Sequence, residues 1–375
     1  MSLAVWAVDP GRVRRGHLAL VGEVSVVVRD ADVGSFQVPV ALDDDLTARV
    51  GPGWRVIVQD GEETVLSGPI TSIEPDLVER EVVLGGVDDL VHLRDRIVYP
   101  DPTRPAEQQT VDAYYKRSGM SGNVAHDLIR DSLASNAASN ALPSRRVPNS
   151  AVGSGAGLGV ATSTNLRYQE LLASVRSLAR VGGFTFWCSQ EQDNRIVVRF
   201  RAPVDRSRSV RFTERNGGVT EGRYALAAPT ATDAIVAGQG QGAARTILHR
   251  TRATDWGRRI EVFKDQRDTD DQAELEQSAT EQLDEGQAGA SAQFTVVESP
   301  GLRYGADYQL GDTVAVEVGS LTITEPVRTV ELTWDGHGRT ATLTLGDHDQ
   351  ADDKTPAWVS KWKNLDARVR SQEVR

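Results

Sequence analysis

Short apolar runs separated by Gly, Pro and Asp are the feature that most constrains how this chain can fold. Between residues 18 and 87 they read VSVVV, GSFQVPV, GWRVIVQD, TVLSGPITSIE and EREVVLGG. Runs of this length that are rich in β-branched residues and bounded by turn formers predict antiparallel strands. The Asp60-Gly61 pair between Trp54–Val58 and Val65–Ile70 predicts a hairpin turn. We therefore expect a small barrel or sandwich in this part of the chain.

Strand-like runs return in the last third of the chain, after a stretch that carries helical periodicity. Apolar residues share one face at 124–133 and at 168–181, where Gly182-Gly183 is placed to end the helix. An acidic helix is predicted at 269–285, and the later runs AQFTVVE, DTVAVEV, LTITEPVRTVELTW and RTATLTLG predict further strands. The predicted fold class is mainly β with an α+β insertion, in which two small β-barrel-like domains flank an α+β domain.

The length of 375 residues exceeds the size at which a single core usually stops growing, so several domains are expected. We predict a first β-barrel domain at 1–100, an α+β domain at 101–208 and a second β-rich barrel domain at 209–350. A linker and an amphipathic helix are predicted at 351–375. Within the α+β domain, residues 136–165 combine Ser, Asn, Ala and Gly with few large apolar residues, which predicts an exposed, flexible loop.

The C-terminal helix is predicted from Thr355-Pro356, which supplies a capping hydroxyl and a proline at the first helical position. Trp358, Trp362, Leu365 and Val369 follow at spacings of four, three and four residues, the a/d pattern of a coiled coil. Two heptads leave two interpretations open. The helix either packs on its own subunit or meets identical helices of other subunits in a coiled coil.

Charge and cysteine content exclude several functions. The formal net charge of −11 argues against a broad basic surface for nucleic acid or anionic membrane. Cys188 is the only cysteine, so an intrachain disulfide and a CxxC centre are impossible; its apolar neighbours predict a buried strand residue. The N-terminal sequence shows no leader pattern and no apolar run reaches membrane-spanning length, so we expect a chain made in the cytoplasm without membrane anchoring.

Several motifs resemble ligand-binding or catalytic sites, but the surrounding sequence does not support those functions. The glycines at 153–159 lack a preceding strand and those at 238–242 lead into a strand, which disfavours phosphate binding. The acidic residues around His348 are more typical of a solvated linker than of a cation site. Asp88 and Asp89 are interpreted as a helix N-terminus. The sequence therefore predicts no catalytic, cofactor-binding or metal-binding residue, no cofactor and no enzymatic activity.

The order of elements resembles the hub or minor tail proteins of siphophages, especially those that infect actinobacteria. The segments that carry the resemblance are 33–40, 53–60, 65–70, 83–100 and 307–314, which read VGSFQVPV, GWRVIVQD, VLSGPI, VLGGVDDLVHLRDRIVYP and DYQLGDTV. The resemblance implies a homotrimer whose paired barrels form a ring on the tail tube. It also implies a place in the virion at the tail tip. The implied partners are the distal tail ring protein, the tape-measure protein and a tip or fibre protein, with phage DNA passing through without specific binding.

Two other functions remain open at this point. The first is a tail-associated cell-wall hydrolase, which the many carboxylates would allow. The second is a receptor-binding module in which residues 149–164 contact the cell surface. Because the resemblance ends soon after the second predicted barrel, without an appended peptidase domain, we expect the structural function.

Overall fold

The computed structural model describes residues 3–136, 138–213, 218–267, 269–296, 298–299, 301–318 and 321–346. The predicted helix at 355–369 and the acidic residues around His348 lie outside the described residues. The chain divides into two compact units, the first formed by Met1–Glu221 and Phe294–Leu343 and the second by Gly222–Gln293 and Thr344–Arg375. No helix in the described ranges is long and apolar enough to cross a membrane.

Strands dominate both units, as the sequence predicts. In chain order they are β1 Leu3–Val8, β2 Arg14–His17, β3 Val24–Arg29, β4 Asp32–Ala41, β5 Arg55–Asp60, β6 Glu63–Asp76, β7 Glu81–Val87, β8 Tyr115–Met120, β9 Ser150–Val152, β10 Ala161–Leu166, β11 Thr185–Gln190, β12 Ile196–Arg201, β13 Arg211–Thr213, β14 Val219–Ala227, β15 Asp233–Ala237, β16 Ile247–Thr251, β17 Glu261–Asp265, β18 Gly289–Val296, β19 Thr313–Val318, β20 Leu321–Asp335 and β21 Gly338–Gly346. The helices are α1 Val91–Arg94, α2 Ser121–Leu133, α3 Leu171–Gly182 and α4 Gln272–Glu285.

One large sheet organises the first unit, with the strand order β21-β20-β3-β4-β7-β6-β5-β1-β2. The predicted hairpin is present, because β5 and β6 pair antiparallel around Gly61 at φ +65°. Strand β20 pairs antiparallel with β3, with Val330 opposite Val28. A late part of the chain thus extends the sheet built by its beginning. The predicted domain boundaries at 100, 208 and 350 stay a prediction. This sheet includes strands from both the first and the third predicted domains.

An α+β layer, formed by β8 to β12 and α1 to α3, belongs to the same unit. Helices α2 and α3 follow the predicted periodicity, and Gly183 ends α3 in the left-handed conformation at φ +63°. Leu128, Ile129, Leu172 and Val175 are buried in its core, which also contains Cys188. Strand β11 lies against β6 of the large sheet. This contact places the layer over one face of the sheet.

Residues 136–165 are not the featureless exposed loop that the sequence predicts. They contain β9, which pairs parallel with β12, and most of β10, which pairs antiparallel with β8. Val147 is buried in the core, and the Ser150 hydroxyl donates to the carbonyl oxygen of Val147 at 2.5 Å. In β9 a small polar residue is buried because its hydroxyl bonds to neighbouring backbone, a pattern that hydrophobic periodicity does not detect. The flexibility of this segment stays a prediction.

The second unit contains a three-stranded sheet in the order β16-β15-β17, with α4 packed on one face. Ala234 and Val236 of β15 contact Leu275, Ala279 and Leu283 of α4 in a small core. The Asp271 side chain caps α4 by accepting a hydrogen bond from the Ala273 amide at 2.8 Å. Where the sequence predicts an acidic helix at 269–285, the structure has one at Gln272–Glu285 with one buried face.

Candidate functional site

Asp89 is the centre of a fully buried polar junction between β5, β6 and β11. Its carboxylate accepts from Arg55 Nη2 at 2.5 Å and from the Ser67 hydroxyl at 2.6 Å. The Ser67 oxygen in turn accepts from the Gln190 amide at 2.6 Å, and Arg55 Nε donates to Gln190 Oε1 at 3.3 Å. A buried ion pair of this kind is held in one geometry because each partner would be costly to leave alone. The junction therefore fixes the α+β layer on the sheet.

Asp88 is buried beside this junction but has no cation partner among the described residues. Its carboxylate accepts from the amides of Gly34 and Leu90, both at 2.9 Å. Burial raises the pKa of Asp88 to about 7, partly opposed by these two hydrogen bonds. The side chain lines a cavity of about 290 Å³ together with Cys188 and Tyr304. Burial also raises the pKa of the Cys188 thiol, which makes it an unreactive core residue.

His92 completes the titratable groups around Asp89. Its Nε2 lies 3.6 Å from Asp89 Oδ1 and makes no hydrogen bond within the described structure. Burial lowers the pKa of His92 to about 4, although the Asp89 charge opposes the shift. His92 is therefore neutral at physiological pH. The Ser67 hydroxyl donates to Asp89 and not to His92 Nε2, which lacks a hydrogen-bond partner among the described residues, so these groups do not form a nucleophile–base pair.

A second buried ionic cluster lies in the same unit, around Arg339. Its guanidinium donates to Glu298 at 2.5 and 2.6 Å and to Asp60 Oδ2 at 2.6 Å. Arg303 Nη2 shares the same Asp60 oxygen at 2.7 Å. The cluster lines a cleft of about 1090 Å³ whose wall also includes Val21 and Trp334. Both carboxylates are occupied by guanidinium groups, so they are structural anchors rather than free acids.

Asp312 anchors the start of β19 in a similar way. It is fully buried and accepts from Arg201 Nη1 at 2.7 Å, from Arg206 Nε at 3.1 Å and from the Val204 amide at 2.9 Å. These bonds join the end of the α+β layer to the late strands of the sheet. Each of the three buried clusters thus joins parts of the chain that are far apart in sequence.

The glycine segments considered for phosphate binding have local structural functions. The loop at 153–159 packs on the start of α2, where Gly122 and Gly155 approach too closely to admit a side chain. The first amides of α2 are already used: Ser121 donates to the Val160 carbonyl at 2.8 Å and Gly122 to the Leu158 carbonyl at 3.2 Å. These two donors are therefore not free to bind an anion. Gly238, in the other segment, donates to the Thr246 carbonyl at 2.9 Å across the loop between β15 and β16.

The sequence interpretation missed the partners of the two adjacent aspartates. It placed Asp88 and Asp89 at a helix N-terminus, and the structure shows that they precede the short helix α1. It did not predict that Asp89 pairs with Arg55. The available signal was Arg55 itself, a charged residue inside the apolar run of β5, which needs a buried counter-ion. Among the described residues, no cluster of three or more His, Cys, Asp or Glu side chains is arranged to hold a metal ion.

Solved structures of phage tail proteins share this fold. A 43 kDa tail protein of prophage MuSo2 from Shewanella oneidensis superposes with a TM-score of 0.57 at 14% identity, over 93% of this chain and 99% of that one. A tail protein from Neisseria meningitidis MC58 superposes with a TM-score of 0.56 at 14% identity, over 93% of this chain and 97% of that one. Prophage tail protein gp18 from Listeria monocytogenes superposes with a TM-score of 0.53 at 11% identity, over 98% of this chain and 99% of that one. At such low identity the likeness establishes the fold alone.

No curated protein sequence matches the chain. A protein-family model does match it, over residues 2–347, which is nearly its whole length. The resemblance to siphophage tail proteins noted in the sequence is thereby confirmed. The chain belongs to the Siphovirus ReqiPepy6 Gp37-like protein family.

Proposed function

We propose that this protein is a structural hub subunit of a siphophage tail tip, which assembles into a ring that caps the tail tube. The observation that carries the proposal is the family match over residues 2–347, together with a tail-protein fold that spans more than nine-tenths of the chain. In this function the ring anchors tip or fibre proteins and lets DNA pass after attachment. The protein is then a virion component made in the host cytoplasm.

The strand arrangement of the first unit supports a barrel at its centre. Residues that follow β2 reach β4, because the Val21 amide donates to the Pro39 carbonyl at 3.2 Å and the Ala41 amide donates to the Ala19 carbonyl at 2.9 Å. Leu20 and Val40 form the corresponding bridge. These contacts support a path that runs from β4 through β7, β6, β5, β1 and β2 and comes back to β4. A small barrel with few open edges suits a subunit that must resist edge-to-edge aggregation.

The use of the buried carboxylates favours a structural function over hydrolysis. Asp60, Asp89, Glu298 and Asp312 each accept hydrogen bonds from arginine side chains. A glycoside hydrolase needs two carboxyl groups that face a substrate, one of them available as a proton donor. Asp88, which retains a proton near neutral pH, faces a cavity too small for a sugar polymer. We therefore propose a protein without enzymatic activity.

The expected partners follow from the position of a hub. We propose a homotrimer that contacts the distal tail ring protein, the tape-measure protein and a tip or fibre protein. The net charge of −11 supports passage of DNA without binding, because an acidic surface repels phosphate groups.

The position in the virion is testable by labelling. A peptide tag placed at the chain's N-terminus and imaged with gold-labelled antibody is expected at the distal end of the tail in intact particles. The matched control is the same tag on the tail-tube protein, which should label the whole shaft. Label on the head, along the tube, or absent from particles contradicts the proposal. In parallel, soluble fragments released from host cell walls by the purified protein would support hydrolysis instead.

A further inference from the structure

The turn between β6 and β7 presents two large apolar side chains to solvent. Leu77 is 77% exposed and Val78 is 87% exposed, the two highest values among the exposed large hydrophobic residues that the structure describes. The turn is nevertheless well defined, because Asp76 Oδ1 accepts from the amides of Val78 and Glu79 at 2.8 and 3.0 Å. We call residues 74–81 the hairpin tip. Fixed apolar groups at the end of a long hairpin are typical of a contact surface.

The hairpin tip is also acidic. Glu74, Asp76, Glu79 and Glu81 flank the apolar pair, and the single cation among them, Arg80, is paired with Asp43. A complementary surface therefore needs apolar groups surrounded by cations that are not already neutralised.

A surface with those properties lies on the α+β layer of the same unit. Two arginine–tyrosine pairs stack there, and we call the surface the arginine–tyrosine face; its six residues are Arg96, Ile97, Tyr99, Arg145, Arg167 and Tyr168. The Arg145 guanidinium lies 3.6 Å from the centre of the Tyr99 ring, and Arg167 lies 5.4 Å from that of Tyr168. The two rings meet edge to face at 6.2 Å. Ile97 and Tyr168 are 43% and 39% exposed.

The arginines of this face differ from the buried arginines in having no counter-ion. Within the described ranges, no carboxylate lies within 4.0 Å of the guanidinium groups of Arg96, Arg145 or Arg167. They donate instead to backbone carbonyls, for example Arg145 Nη2 to Ile97 at 2.6 Å. The neighbouring acids are Asp95, which is paired with Arg94, and Glu170. Tyr168 adopts φ +60°, a conformation that costs a bulky residue energy and often marks a functional position.

We propose that the hairpin tip of one copy docks on the arginine–tyrosine face of a second copy. This inference rests on the proposed ring and names the surfaces that form it. Leu77 and Val78 contact Ile97 and Tyr168, while the acidic residues of the hairpin tip neutralise the unpaired arginines. The contact joins two different surfaces of the same chain, so repeated head-to-tail docking builds a ring when the rotation between successive copies closes. A second copy is the favoured occupant because both complementary surfaces occur on one chain.

Cysteine cross-linking tests the geometry directly, because Cys188 is buried and leaves the surface free of thiols in the described structure. The variant Leu77→Cys/Ile97→Cys is expected to form intermolecular disulfides that give a ladder ending at the closed ring on non-reducing gels. Each single variant is expected to remain uncross-linked. A matched control pairs Leu77→Cys with Val13→Cys, since Val13 is 42% exposed and lies outside the face. This control is expected to give only background.

Charge reversal tests the energetics in the same full-length chain. Glu79→Arg or Arg145→Glu alone is expected to weaken self-association about tenfold or more, and an equimolar mixture or the double variant to recover part of it.

Unchanged oligomers in every variant, with no cross-linking of the cysteine pair, would overturn the docking proposal and leave the proposed ring intact. A protein that is monomeric at all concentrations and missing from the tail tip would overturn the proposed function as well. Loss of another tail protein from Glu79→Arg without altered self-association would assign the hairpin tip to that partner and also overturn the proposal.

Discussion

The buried junctions and the arginine–tyrosine face use the same residue type in opposite ways. Arg55 is 5% exposed and donates to a carboxylate that is fully buried, and Arg339 bridges two carboxylates. Arg145 instead lies on a tyrosine ring at the surface, and its side chain donates a hydrogen bond to the Ile97 backbone carbonyl. A planar guanidinium suits both tasks, since it pairs bidentately and also stacks. The difference indicates that paired arginines hold the fold together, whereas unpaired ones are available to a partner.

Removing one partner of a buried pair should have the largest effect. Arg55→Met is expected to lower the free energy of unfolding by about 3–5 kcal/mol, because Asp89 would remain buried and charged. The matched control is Arg145→Met, for which we expect a loss of less than about 1 kcal/mol. Urea unfolding of both variants measures the difference. Equal losses would remove the distinction between the two kinds of arginine.

The Asp88 carboxyl should make stability depend on pH near neutrality. Its pKa is raised to about 7 in the folded protein, so its contribution is full below the unfolded-state pKa near 4 and is lost as the pH rises through 7. Relative to Asp88→Asn, the wild-type protein is expected to lose up to about 4 kcal/mol of stability between pH 4 and pH 8. Parallel denaturation curves at each pH measure this. A constant difference between the two proteins would show that Asp88 titrates normally.

His92 should produce the opposite slope at lower pH. Its folded-state pKa of about 4 lies below the unfolded value of 6.5, so its contribution is present above pH 6.5 and is lost as the pH falls toward 4. His92→Gln should reduce the acid sensitivity of unfolding in that window by about 3 kcal/mol. The measurement is the melting temperature of both proteins from pH 7 to pH 4. Identical acid profiles would contradict the burial of a neutral imidazole beside Asp89.

Trp54 should matter less than its size suggests. A large aromatic residue beside a strand is usually part of a core, whereas the structure begins β5 at Arg55 and leaves Trp54 half-buried. Trp54→Ala is therefore expected to cost about 1–2 kcal/mol instead of the larger loss for a fully buried ring. Chemical denaturation of the variant is the check. A loss of stability as large as that for Arg55→Met would mean that the Trp54 indole is packed in a core or in an interface between subunits.

Local features of the fold were predictable from the sequence, and long-range ones were not. The β5–β6 hairpin depends on residues next to one another, as does the end of α3 at Gly183, and both were predicted. The pairing of β20 with β3 joins segments about as far apart as the chain allows, and no local pattern encodes it. The prediction of a loop at 136–165 was wrong in its local structure. It relied on apolar side chains to mark strands, whereas Ser150 lies in a strand and is held by hydrogen bonds to hydroxyl groups.

The candidate surfaces were less predictable than the fold. Arg55 stood out as a charge within an apolar run, but its partner Asp89 lies 34 residues away in the chain. The arginine–tyrosine face gathers residues from three separate segments, and its significance depends on the absence of carboxylates in space among the described residues, which sequence order does not reveal. The sequence places Leu77 and Val78 in a strand-rich region, but only the structure shows that their side chains are exposed.

The most direct test of the tail-tip ring is a cryo-electron microscopy map of the distal end of isolated tails. The account predicts three copies of this chain in a ring below the tail tube, each with its hairpin tip against the arginine–tyrosine face of the next copy. Density for a single copy at the tip, or for this chain anywhere but the distal end of the tail, would contradict it.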